Sequence, residues 1–193
     1  MKIIELILEE GETEGVFAIS TVESPAIESN FIALSKEPLE LATVNEEKRI
    51  LMGAALIPNK TIYRKNGEEE FYVYFSKDTI KSASQMFLKK GAQSAFTMEH
   101  DGELIGLTVV ESWLVEDKQK DKSSIYNFNV PVGTWMVSVK VDNDDVWQNY
   151  VKTGKVKGFS IEGYFADKTH LKAIEPSESD KKIEALKQLL KDA

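Results

Sequence analysis

An α+β fold is predicted by the order of segments in this chain: mostly antiparallel strands closed into a barrel or sandwich, flanked by helices. Short alternating stretches dominate, and only two internal segments and one at the C-terminus carry helical spacing. The helical segments do not alternate regularly with the strands, which excludes a doubly wound parallel sheet. A length of 193 residues with 42% hydrophobic content suits one domain with a real core. That domain is expected over residues 1–175 with a connector at 35–48, followed by a hinge and amphipathic helix at 176–193.

The elements follow in order. Residues 2–9 alternate loosely and run into an acidic turn, and residues 16–22 read as a strand stopped by Ser24-Pro25. A polar stretch with Lys36, Glu37, Pro38, Asn45, Glu46 and Glu47 marks the connector. A strand over about 49–57 ends at Pro58-Asn59. Residues 61–64 and 70–75 flank Asn66-Gly67, a hairpin signal. Ser76 is placed to cap a helix over about 77–90, with Ile80, Ala83 and Phe87 on one face and Gly91 as its stop.

Phe96 to His100 is expected as a strand, Asp101-Gly102 as a turn, and residues 104–115 as a long strand. Residues 134–141 place Trp135, Val137, Val139 and Val141 on one face, and Met136, Ser138 and Lys140 on the other. Asp142 is expected to cap a helix over about 143–153, before a strand over 156–166. A capped helix at about 179–192 carries Ile183, Leu186, Leu189 and Leu190 on one stripe. Trp113, Trp135 and Trp147 each fall in an apolar stripe and are assigned to the core.

Composition narrows the chemistry. The net charge of −8 argues against a binder of nucleic-acid phosphates, which needs a basic face. No apolar run approaches the ~20 residues that cross a bilayer, and Glu5 interrupts the stretch a secretory leader would need. The absence of cysteine excludes disulfides, thiolate nucleophiles and iron–sulfur clusters. With two histidines, any imidazole chemistry must use His100 or His170, and His170 reads as a loop residue. No phosphate loop, HExxH helix or Gly-x-Ser-x-Gly elbow is present. Glu99-His100-Asp101 would make a compact metal-ligand set, except that successive strand residues point to opposite faces. No cofactor and no metal is therefore expected.

Two carboxylates and one serine stand out. In Lys157 to Phe165, the residues Ser160, Glu162 and Tyr164 share a face, and Gly158 and Gly163 leave the backbone around Ser160 approachable. A nucleophilic serine needs such access and nearby N–H groups for an oxyanion; an ordinary solvent-facing strand serine fits the same pattern. Glu111 falls on the apolar face of Leu107, Val109, Trp113 and Val115. A carboxylate there must be paired or hydrogen-bonded, whether to a histidine, to a lysine or to water at an edge.

Several of these segments together resemble, in order, the XkdF-type serine proteases of tailed phages. They are Thr97-Met98-Glu99-His100-Asp101, Val109 to Asp117, Val132 to Val141, Val146-Trp147 and Gly154 to Phe165. The resemblance spans about residues 50–166. Such proteins are similar to the prohead (capsid maturation) proteases and to the herpesvirus assemblin fold. The resemblance implies a serine endopeptidase with His100 and Ser160 as catalytic pair.

It also implies substrates: the internal scaffold, an extension of the major capsid protein, and the protease itself. The setting it implies is the host cytoplasm inside an assembling prohead, as a homodimer or as shell-enclosed copies, without nucleic-acid or membrane partners. One departure concerns the third catalytic residue. In many prohead proteases a segment like Ile19 to Ala26 follows the nucleophile, with an acidic residue just before it; here it is N-terminal, and the matching position is Ala18. Glu111 is the first candidate for the missing acid, Glu162 the second, and a dyad the third. The rival reading is an inactive capsid-internal scaffold of the same fold.

Overall fold

A computed structural model of the chain describes residues 2–8, 15–27, 32–34 and 48–168. The connector up to residue 47, His170 and the terminal helix expected at 179–192 lie outside the described residues. Along the chain come β1 (Lys2–Ile7), β2 (Gly15–Val22), β3 (Ile32–Leu34), β4 (Ile50–Leu56), β5 (Ile62–Asn66), β6 (Glu69–Phe75) and α1 (Lys77–Lys89). Then follow β7 (Phe96–Met98), β8 (Asp101–Glu103), β9 (Leu107–Leu114), α2 (Lys122–Ile125), β10 (Trp135–Val141) and α3 (Asp144–Val146). A π-helical turn over Trp147–Val151, β11 (Gly158–Tyr164) and β12 (Ala166–Asp167) complete the described elements.

The strands form three four-stranded sheets, ordered β12-β1-β6-β5, β3-β4-β10-β9 and β11-β2-β7-β8. The α+β class with a majority of strands is what the segment order predicts. The barrel is not formed: the sheets do not close and each keeps two edges. Two parallel pairings, β1 with β6 and β2 with β7, break the antiparallel meander, and β3, β8 and β12 are too short to bridge one sheet to the next.

Local chemistry explains most boundaries. The Ser76 hydroxyl accepts the Thr79 N–H at the start of α1, and Gly91 leaves the helix with φ +70°. In the β5–β6 hairpin Asn66 pairs with Glu69, so the two-residue loop is Gly67-Glu68, one residue beyond the expected Asn-Gly centre. Gly67, at φ +60°, takes the left-handed first position of that loop. Asn143, not Asp142, caps α3 by accepting the Val146 N–H, and the expected longer helix is one short turn that widens into the π-helical turn.

The core is one apolar cluster drawing on all three sheets and α1. Phe87 of α1 meets Trp135 of β10 edge-on at 5.4 Å, and Phe75 meets Phe165 at 4.8 Å. Fully buried side chains of this size each stabilise the fold by about 1.5–3 kcal/mol. Trp135 and Trp147 are buried as expected, and Trp113 is half-buried. In β10 the alternation is real but both faces are covered, since Met136 and Ser138 are as buried as Val137 and Val139. A strand held between β4 and β9 has no solvent face over most of its length. Among the described residues no helix is long and apolar enough to cross a membrane.

Candidate active site

The sheet β11-β2-β7-β8 carries an unusual polar face. Its apolar face holds Phe159, Ile19 and Phe96 against the core. On the opposite face the register sets Ser160 beside Ser20 and Ser20 beside Thr97. Glu162, two residues from Ser160, lies on that same face opposite Ala18. Ser20 is fully buried and Ser160 is 8% exposed. Gly163 follows at a break in register, where a Cβ would stand 2.7 Å from the Gly15 carbonyl oxygen. Only glycine allows β2 and β11 to approach so closely there.

His100 reaches this face from a turn rather than from a strand. Met98 pairs with Asp101, so Glu99 and His100 are the two central residues of the β7–β8 hairpin. The expected turn at Asp101-Gly102 is thus displaced two residues upstream. Both Glu99 (φ +51°) and His100 (φ +61°) are left-handed, the geometry of a type I′ turn that normally takes Asn and Gly. Such residues cost about 1–3 kcal/mol each and persist only where their surroundings hold them.

Neighbouring strands supply that hold. The Glu99 N–H donates to the Thr21 carbonyl at 3.1 Å, and the His100 N–H donates to Ser20 Oγ at 2.9 Å. Ser20 Oγ donates in turn to the Thr97 carbonyl at 3.4 Å, and the Glu99 carboxylate accepts the Glu23 N–H at 2.6 Å.

Freed from strand alternation, the imidazole meets Glu162. His100 Nδ1 lies 3.2 Å from Glu162 Oε1, and the Thr97 hydroxyl donates to the same oxygen. The Glu162 side chain is 19% exposed and that of His100 45%. A carboxylate accepting at Nδ1 favours the tautomer with its proton there and leaves Nε2 with a lone pair. The arrangement therefore offers an oriented base at Nε2 and a serine hydroxyl on the same sheet face. Among the described residues no hydrogen bond engages Ser160 Oγ, and none joins it to the imidazole.

Glu111 is elsewhere. It belongs to the sheet β3-β4-β10-β9, where the register steps from Ser138–Glu111 to Val139–Val109 and leaves Val110 unpaired. That one-residue bulge turns Glu111 and Trp113 away from the face of Leu107 and Val109. The carboxylate ion-pairs with Lys122, whose ammonium also lies 5.5 Å over the Trp113 ring. Burial acts to raise the Glu111 pKa. The Lys122 hydrogen bond, with the Ser138 hydroxyl facing it, more than offsets this and holds the pKa below the ordinary carboxylate value. Of the residues singled out from the sequence, then, the structure brings His100, Ser160 and Glu162 to one sheet and pairs Glu111 with a lysine instead. No group of three His, Asp or Glu able to hold a metal exists among the described residues.

The family model described as "Putative phage serine protease XkdF" matches residues 39–169, more than half of the chain. The chain belongs to this XkdF family. The matched stretch runs from before β4 to just past β12 and includes His100, Ser160 and Glu162. It leaves out β1, β2 and β3, so Ser20, whose hydroxyl accepts the His100 N–H, lies outside the matched stretch. No curated protein and no solved structure matches the chain.

Two site residues carried no role in the sequence reading. Ser20 sits in a strand of apolar residues, where a lone serine is an ordinary sight, and Thr97 stood only as part of a motif. The signal for Ser20 was its place two residues after Ala18, where the prohead-protease pattern expects the acid. Glu162 lies directly across the sheet from Ala18 on the same face.

Proposed function

We propose that this XkdF-family chain is a serine endopeptidase in which Ser160 is the nucleophile, His100 the general base and Glu162 the residue that orients the imidazole. The observation that carries the reading is the His100 Nδ1 to Glu162 contact at 3.2 Å on the face of the sheet that bears Ser160. In this mechanism Ser160 Oγ attacks a peptide carbonyl and passes its proton to His100 Nε2. The imidazolium, its Nδ1–H held by Glu162, returns that proton to the leaving amine. Water then repeats the sequence on the acyl-enzyme, with His100 again taking a proton and Ser160 regaining it. Resting-state catalytic contacts are often loose and tighten on the substrate, which suits a Ser160 hydroxyl that no hydrogen bond engages among the described residues.

The substrates in this reading are the internal scaffold, an extension of the major capsid protein, and the chain itself, cleaved inside an assembling prohead in the host cytoplasm. Homodimers or shell-enclosed copies belong to the same proposal, and so does kinship with the assemblin fold, which rests on the sequence resemblance. Co-expression with the capsid and scaffold proteins of the same phage tests it. Wild type is expected to shorten these proteins, and Ser160→Ala and His100→Ala each to abolish the shortening. Processing that persists in both variants would overturn the assignment. Unprocessed proteins in the wild type would favour a capsid-internal scaffold of the same fold.

A further inference from the structure

The strand that carries Ser160 is an edge strand, and its free side borders a hollow of about 140 Å³. Its described lining is mostly apolar, Leu56, Phe75, Ile161 and Phe165 among it, with Ser160 and with Arg64 of β5 as its one charged residue. Arg64 follows a buried residue of the same strand face. Ile62 and Arg64, two residues apart, share a face of the hairpin, and Ile62 with its partner Val73 is buried in the core. Arg64 itself is opposite Phe71, which packs against that core. Arg64 is exposed, so its guanidinium stands at the open rim of the hollow, and among the described residues it has no carboxylate partner. Its guanidinium donates to the Tyr63 carbonyl.

No Asp or Glu is among the described residues lining this hollow. A larger adjoining groove of about 570 Å³ shares Ala26, Ile62 and Arg64 with it, and its described lining again includes no carboxylate. This is a local absence of carboxylates in a chain whose net charge is −8.

We propose that the hollow beside Ser160 is the subsite for an acidic side chain, Asp or Glu, of the bound peptide, with Arg64 as the residue that recognises its carboxylate. The inference rests on Ser160 being the nucleophile, because that places the hollow next to the scissile bond. A guanidinium presents two parallel N–H donors to a carboxylate, whereas a lysine offers a single point charge.

The test separates binding from cleavage. The full chain with Ser160→Ala is immobilised and offered a pool of random octapeptides with amidated C-termini, and the retained peptides are sequenced. Asp and Glu are expected to be enriched about tenfold over Asn and Gln at one position, the order of a charge-assisted pair partly open to water. Adding Arg64→Gln should abolish the enrichment, and Arg64→Lys should keep only part of it. A second pool with free C-terminal carboxylates reads whether the chain end, rather than a side chain, is the anion held. No enrichment, enrichment that survives Arg64→Gln, or enrichment found only with free C-termini would overturn the proposal. Enrichment as expected, together with a wild type that cleaves nothing in the co-expression test, would uphold the acidic-peptide hollow while defeating the protease reading.

Discussion

Glu111 and Glu162 are two strand carboxylates placed by the sequence where either could pair with an imidazole, and they end in opposite circumstances. Glu111 is on β9, an edge strand, where an unpaired Val110 rotates it to Lys122 and to solvent. Glu162 is on β11, also an edge strand, but its side chain lies inward along the sheet toward Thr97 and His100. The first has a flexible cation as partner, the second a hydroxyl and an imidazole that the backbone has fixed. Pairing alone does not tell which carboxylate can orient an imidazole. What differs is whether the partner is itself held, as His100 is by Ser20 and by the left-handed turn.

The sharpest way to break this contrast is to neutralise each carboxylate. Glu162→Gln is expected to lower kcat by about 10³–10⁴-fold, as losing the group that fixes a catalytic imidazole does. Glu111→Gln should leave kcat within about twofold of wild type, since a surface ion pair contributes at most about 1 kcal/mol to the fold. Steady-state cleavage of a peptide taken from a mapped processing site measures both. Equal losses in the two variants, or a normal rate in Glu162→Gln, would remove the distinction.

A smaller effect is expected at Ser20. Ser20→Ala leaves the His100 N–H without its acceptor inside a buried face, at a cost of about 1–3 kcal/mol in stability. The left-handed turn loses one of its restraints, so a drop of roughly tenfold in kcat with KM unchanged is expected if misplacing the base is what slows the reaction. Because the chain has two histidines, the ring-nitrogen signals of His100 can be assigned by comparison with His100→Gln. Those signals should show the Nδ1–H tautomer in wild type and a mixture of tautomers in Ser20→Ala. A variant with lower stability but an unchanged tautomer and kcat would make Ser20 a packing residue only.

The smallest effect concerns pH. Pairing with Lys122 holds the folded Glu111 pKa below its ordinary value of 4.5. Its stabilising contribution is therefore present above that value and is lost as pH falls through the lower, folded-state pKa. The side chain is 44% exposed, so solvent screening keeps the contribution below about 1 kcal/mol. Denaturant midpoints of wild type and Glu111→Gln should thus differ slightly at neutral pH, and converge in acid or at high salt. A gap that widened as the pH fell would contradict the ion-pair account.

Much of the fold was legible because its signals are local. The cap at Ser76, the stop at Gly91 and the alternation of β10 each depend on residues a few positions apart, and each is found where the pattern puts it. Misreadings cluster where a neighbouring strand decides. The β7–β8 turn falls at Glu99-His100 because Thr21 and Ser20, nearly eighty residues earlier, take its N–H groups. Nothing between Met98 and Gly102 announces this. The bulge at Val110 is likewise a matter of pairing with β10, and it reversed the face on which Glu111 had been read. Three open sheets stand where a barrel was expected because parallel pairing is a property of crossovers, to which local periodicity is blind.

By itself, the sequence determined that any imidazole chemistry in the described part of the chain belongs to His100, that thiol chemistry is absent, and that Ser160 and Glu162 share one strand face. It also carried enough ordered motifs to imply the XkdF family. Tertiary structure alone decided which carboxylate meets the imidazole, that the histidine rides on a left-handed turn, and that an arginine from a distant hairpin faces the hollow beside the serine. The reason is physical. Composition and period-two spacing fix which side chains exist and which of them share a face, while register and bulges, set by hydrogen bonds between remote strands, fix what those faces meet.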